Sequence, residues 1–188
     1  AALQEEFQRA QAEGQAPYLI PYGGSNALGV QGYAQAMREL AEQKCEPDWV
    51  VFASSSGGTQ AGLVLGGKQT GFRGRILGIS VDEPAQSLQE RVAALVEEAA
   101  ALNGEMLAIA PEEILVNDSY CAAGYGVLQP TEIEAIRSFA RADGILLDPV
   151  YTGRAAAGLI DLIRKGFFRR DETVLFWHTG GTPALFAE

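Results

Sequence analysis

The sequence predicts an α/β fold: a mostly parallel, twisted sheet with helices on both faces. Three observations carry that expectation. Short, almost wholly apolar runs such as DWVVFA (48–53) suit strands buried on both faces. Longer stretches with apolar residues at helical spacing alternate with those runs. Gly-, Ser- and Thr-rich loops follow several of the runs, as β-α-β crossovers require.

In chain order, residues 1–13 read as a helix, with Leu3 and Phe7 four apart among charged neighbours. PYLIP (17–21) is a short apolar run closed by prolines, followed by the loop Gly23-Gly24-Ser25-Asn26. A helix spans about 28–44, with Val30, Tyr33, Met37, Leu40 and Ala41 on its apolar side. The strand 48–53 leads through SSSGGT into a small-residue helix, QAGLVLGGKQ. RILGISV (75–81) is the next strand. An amphipathic helix covers about 84–103, with Leu88, Val92, Leu95, Val96, Ala99 and Leu102 on one stripe. The stretch 112–129 is less regular and holds Asp118, Tyr120, Gly124, Tyr125 and Gly126. A helix opens at Pro130, capped by Gln129 or Thr131, and ends near Ala142. ILLDPVYTG (145–153) is read as strand then loop, RAAAGLIDLIRKG as a helix, and TVLFWH (173–178) as the last strand. Thr179-Gly180-Gly181-Thr182-Pro183 follows it.

Composition narrows the function. The 188 residues correspond to about one and a quarter domains at roughly 150 residues each. Fourteen Lys and Arg against 24 Asp and Glu give a net charge of −10, which argues against a nucleic-acid partner. A local anion site remains compatible with that charge, because backbone dipoles act at short range. No 18-residue apolar run calls for a membrane span. Two cysteines, Cys45 and Cys121, make neither a disulfide framework nor a metal site; they read as thiols in a reducing, cytoplasmic setting. Gly is 22 of 188, about 12% against a usual share of about 7%, with no low-complexity tract to absorb it.

Ligands of parallel sheets bind beyond the carboxyl ends of the strands. Four small-polar loops belong there: 23–26, 54–59, 148–153 and 179–182. The loop Ser54-Ser55-Ser56-Gly57-Gly58-Thr59 joins a buried strand to a helix start, where free N–H groups and hydroxyls form a phosphate cradle. Lys68 lies too far down the helix for a nucleotide triphosphatase loop, and G-x-G-x-x-G is absent. A phosphate-ligand domain without chemistry of its own stays open. So does a serine hydrolase, since Ser56, Asp148 and His178 stand in hydrolase order, although the elbow glycine is missing. Tyr151, at a strand end, could stack on a ring or move a proton. Thr179 could face a ring atom of a bound cofactor.

Together, PYGGSNALGVQGY (21–33), SSSGGTQAGLVLG (54–66), LLDPVYTGRAAAGL (146–159) and FWHTGGTPALF (176–186) resemble the D-cysteine desulfhydrase and 1-aminocyclopropane-1-carboxylate (ACC) deaminase family. These are pyridoxal-phosphate enzymes of the tryptophan-synthase β type. The resemblance implies fold type II of the pyridoxal-phosphate enzymes, with pyridoxal 5′-phosphate as cofactor and a small amino acid as substrate. It implies cofactor binding by Ser56, Gly57, Gly58 and Thr59 at the phosphate and by Thr179 at the pyridine nitrogen. It places Tyr151 and Thr152 as catalytic residues. Thr152 stands where ACC deaminases carry Glu and desulfhydrase-like members tend to Thr, which favours D-cysteine. Ser55 replaces the usual glycine and adds a possible donor.

The family's Schiff-base lysine lies before the GGSN motif, and Lys44, Lys68 and Lys165 fall within or at the ends of predicted helices. The expectation is therefore a C-terminal portion that is inactive alone. Residues 1–20 would be a remnant of the smaller domain, and 21–188 most of the larger, cofactor-binding one. The resemblance also implies a homodimeric parent.

Overall fold

The computed structural model describes residues 2–181 together with Ala184 and Phe186. Thr182 and Pro183, the end of the last predicted loop, lie outside the described residues.

The described residues form six α-helices and four strands, with short 3-10 turns at Tyr22–Gly24 and Pro111–Glu113: α1 (Ala2–Ala12), α2 (Ala27–Glu42), β1 (Trp49–Ser54), α3 (Gly58–Thr70), β2 (Arg75–Ser80), α4 (Ala85–Leu102), β3 (Leu115–Asn117), α5 (Pro130–Asp143), α6 (Thr152–Arg164) and β4 (Val174–Phe176). The sheet order is β3-β2-β1-β4 and every ladder is parallel. The register sets Trp49 against Arg75 and Ser54 against Ser80, so β1 and β2 end level with each other.

The two faces of β1 explain the apolar run. Val50 and Phe52 pack with Met37, Leu40 and Leu63 of α2 and α3. Trp49 and Val51 pack with Ala155, Leu159 and Leu162 of α6. Every position from 49 to 52 is buried, so no polar alternation is possible. On the first face α2, α3 and α4 share a core that includes Val30, Leu65, Val92 and Val96. The small residues of α3 let α2 come close: a Cβ on Gly62 would stand 2.5 Å from the Val30 carbonyl oxygen. On the other face α5 covers α6 through Ala135, Leu147, Ala156 and Ala157.

The caps follow local chemistry. Asn26 starts α2 by accepting the Gly29 N–H at 2.8 Å. Gln129, not Thr131, is the N-cap of α5, and Glu132 reaches back to its N–H. Asp118 accepts the Ala85 N–H at 2.8 Å and closes the start of α4 from a distant loop.

Four expectations are corrected. Residues 145–148 form no strand: the His178 ring, 3.0 Å from the Leu146 carbonyl oxygen, takes the place of a ladder. The last strand shrinks to three residues. Leu102 leaves the buried stripe of α4 and is exposed, because the helix ends there. A third strand, Leu115–Asn117, arises inside the stretch read as irregular and pairs with β2. No helix among the described residues is long and apolar enough to cross a membrane.

Candidate active site

The loops beyond the carboxyl ends of β1 and β4 and two neighbouring loops meet in pairs. The first pair joins 22–26 to the loop after β1. Ser25 Oγ accepts the Gly58 N–H at 3.0 Å and donates to Ser56 Oγ at 2.8 Å. Tyr22 and Ser55 share a hydroxyl hydrogen bond of 3.2 Å. A Cβ on Gly23 would stand 2.2 Å from Ser56 Oγ, so the two loops touch. The second pair joins 148–152 to the loop after β4, where a Cβ on Gly181 would stand 2.6 Å from Asp148.

Gly57 turns the chain into α3 with φ of 90°, a conformation glycine adopts without a Cβ penalty. The first amides of a helix have no intrahelical partner. Gly58 gives its proton to Ser25, while the Gly57, Thr59 and Gln60 amides have no acceptor among the described residues. Ser56 and Thr59 are half-buried at this helix start. Unpaired N–H groups, two hydroxyls and the positive end of α3 suit a phosphate dianion.

Ser55 does not add the donor that its hydroxyl suggests. It is buried, and its Oγ donates to Asp82 Oδ2 at 2.9 Å. Its carbonyl accepts from Arg91 at 3.1 Å, and Arg91 pairs with Glu83. Asp82 Oδ1 is buried without a partner among the described residues.

Tyr151 is aimed by Asp148, which is fully buried. Asp148 Oδ2 accepts the Val150 and Tyr151 N–H groups, both at 2.8 Å. Its Oδ1 accepts the Thr152 N–H and hydroxyl, both at 2.7 Å, and the Asp148 N–H donates back to Thr152 Oγ1 at 2.9 Å. Thr152 is 1% exposed and its hydroxyl is spent on Asp148. The Tyr151 hydroxyl is hydrogen-bonded to that of Tyr125, with the rings edge to face at 5.9 Å. Burial pushes the Tyr151 hydroxyl far above the ordinary tyrosine range; the Tyr125 bond and the nearby Tyr22 and Asp82 charges push the same way.

Tyr125 was visible in the sequence only as part of an irregular stretch. The signal that could have marked it is its Gly124-Tyr125-Gly126 setting, with φ of 95° and 72° at the flanking glycines. Arg154 fixes this loop. Fully buried, it donates to the carbonyls of Val81 (2.5 Å), Gly124 (3.0 Å) and Val127 (2.9 Å) and pairs with Glu132 at 2.7 Å.

Thr179 is half-buried in the loop after β4. His178 accepts the Gly180 N–H on Nδ1 at 3.1 Å, so its Nε2 carries the proton and donates to Leu146. Both ring nitrogens are engaged, Asp148 is saturated, and Ser56 bonds Ser25. The hydrolase arrangement of Ser56, Asp148 and His178 is therefore not assembled. Lys68 pairs with Glu113 at 3.2 Å and Lys165 with Asp161 at 2.7 Å, and Lys44 follows the end of α2. None of these contacts involves the four loops.

Similarity to known proteins agrees with this geometry. A family model described as pyridoxal-phosphate dependent enzyme matches residues 1–180. A solved ACC deaminase homologue is 38% identical, with a TM-score of 0.85, over 95% of this chain and 53% of that one. A fungal L-serine ammonia-lyase from Rhizomucor miehei shares the fold at 15% identity and a TM-score of 0.52, over 81% of this chain and 51% of its own. A hydrogen sulfide-producing enzyme from Fusobacterium nucleatum shares it at 14% and 0.54, over 95% and 58%. The chain thus spans about half the length of the solved chains it matches. On the family match and the 38% identical structure, the chain belongs to the family of pyridoxal-phosphate dependent enzymes.

Proposed function

We propose that this chain is the cofactor-binding part of a lyase that deaminates a small amino acid, with D-cysteine the favoured substrate. The observation that carries the reading is that the phosphate cradle follows β1 while the 148–152 loop bearing Tyr151 packs on the loop after β4, both beyond the carboxyl ends of neighbouring parallel strands. The residues fit the cofactor: the Gly57, Thr59 and Gln60 amides, which have no acceptor among the described residues, and the Ser56 and Thr59 hydroxyls suit its phosphate. Thr179 is the neutral partner proposed for the ring nitrogen. When bound, pyridoxal phosphate supplies the electron sink for charge developing at the substrate α-carbon.

The chain's own residues divide the remaining work. Burial raises the Tyr151 hydroxyl, so it stays protonated at neutral pH and offers a hydrogen bond, while giving up its proton poorly. A hydroxyl hydrogen bond suits a departing thiolate, because it stabilises the negative charge that develops on the sulfur. Tyr125 holds the Tyr151 hydroxyl, and Asp148 with Thr152 holds its backbone. A neutral Thr at the ring nitrogen gives a milder electron sink than a carboxylate would. That is enough for β-elimination of sulfide, the overall reaction being D-cysteine plus water to pyruvate, hydrogen sulfide and ammonia.

ACC deamination is the second reading, favoured by the 38% identical homologue. Against it stands position 152, which offers a buried threonine closed onto Asp148 in place of an acid. The Schiff-base lysine is proposed to lie outside this chain, and the parent is proposed to be a homodimer. The deciding experiment assays the protein that contains this chain, loaded with pyridoxal phosphate, on both substrates. Sulfide and pyruvate from D-cysteine should exceed 2-oxobutyrate from ACC at least tenfold in kcat/KM. The reverse ranking overturns the assignment. On the chain alone, turnover with borohydride-reducible labelling of Lys44, Lys68 or Lys165 would sink the missing-lysine proposal.

A further inference from the structure

Ser25 lies outside the phosphate loop yet bonds two of its members. Its oxygen accepts the Gly58 N–H at 3.0 Å, and its single proton goes to Ser56 Oγ at 2.8 Å. Ser56, accepting that bond, keeps its own proton free. The result is a row of donors running one way: the first amide of α3, then Ser25, then Ser56. Each bond polarises the next, so the last O–H is a better donor than an isolated serine. Ser56 is also held in place, because the Gly23 backbone passes so close that a Cβ there would overlap its hydroxyl.

We infer that Ser25 is a positioning residue for the cofactor phosphate, acting through Ser56. It takes up the Gly58 amide proton and passes the polarisation on to Ser56, whose hydroxyl becomes a stronger, fixed donor. This rests on the cofactor reading of the cradle. It adds a residue from the 22–26 loop to the phosphate machinery and couples that loop's position to cofactor affinity.

The test titrates the purified chain with pyridoxine 5′-phosphate, which has no aldehyde and cannot label lysines, and follows ligand fluorescence. Ser25→Ala should weaken binding by up to about tenfold, because Ser56 loses the aim and polarisation of its bond to the charged phosphate. Ser25→Cys, similar in shape but a weak donor, should fall between. Ser56→Ala should weaken binding comparably, and the Ser25→Ala/Ser56→Ala double variant should lose no more than Ser56→Ala alone. Binding of unphosphorylated pyridoxine should not change in any variant, and the thermal midpoints report whether each variant folds. Equal affinity of wild type and Ser25→Ala overturns the inference and leaves the cradle standing. So does a full tenfold loss from Ser25→Ala in the Ser56→Ala background. No saturable binding by wild type overturns the cradle reading together with this one.

Discussion

Replacing Arg154 by Met tests what holds the Tyr125 loop. The substitution keeps most of the buried stem and removes the guanidinium. Glu132, 2% exposed, is left as a buried carboxylate with no counter-charge, and three carbonyls on Val81, Gly124 and Val127 lose their donor. Removing one member of a buried pair costs about 3–5 kcal/mol. A domain of ordinary stability holds only about 5–15 kcal/mol, so the loss is a large share. With a urea slope of about 2 kcal/mol per M, the midpoint should fall by about 2 M. Circular dichroism in urea measures it directly. Adding Glu132→Leu should recover part of the loss, with a coupling above about 1 kcal/mol, because the uncompensated charge is gone. A drop below about 1 kcal/mol for Arg154→Met would refute the reasoning. So would a double variant no better than the single one.

Three further outcomes follow from the buried polar groups. Asp148→Ala removes the acceptor of four hydrogen bonds and should cost at least about 3 kcal/mol by thermal melting, with Tyr151 ring resonances shifted. Tyr120 and Tyr151 should ionise above the ordinary tyrosine range in an ultraviolet titration, since burial above all, and hydrogen bonding after it, raise both. Their raised folded-state values stabilise fully below the ordinary tyrosine range, and that stability is lost as pH climbs above about 10. Tyr151→Phe should remove its share of this alkaline decline.

Much of the fold was legible because the strands of a covered parallel sheet are apolar on both faces. β1 and β2 needed nothing else, and the small residues of α3 and α6 already pointed to close packing. The loops after β1 and β4 could be placed at one edge because chain order and parallel direction fix which strand ends they follow; 23–26 and 148–153, expected at strand ends too, follow no strand and are held by contacts with those two loops. Pairing was harder to foresee. Leu115–Asn117 is too short and too mixed for a local pattern, and only its β2 neighbour makes it a strand. The run 145–148 had the composition of a strand but no ladder partner. The Arg154–Glu132 pair was hidden because an arginine beside alanines reads as a solvated helix position. Asp148 drew notice as a hydrolase acid, yet its contacts make it the clamp on Tyr151 and Thr152, a role that depends on backbone turns no spacing rule reveals. Ser55 looked like a gain to the cradle, but its hydroxyl donates to Asp82 instead.

The central claim is that the cofactor sits at the carboxyl edge of this sheet. Backbone amide shifts of the ¹⁵N-labelled chain, titrated with pyridoxine 5′-phosphate, test it most directly. Saturable shifts are expected at Gly57, Gly58 and Thr59, with Thr179 and Tyr151 moving in the same titration. Shifts confined to the opposite edge, around the cavity of about 630 Å³ lined by Phe72, Arg73, Arg75 and Arg169, would contradict it.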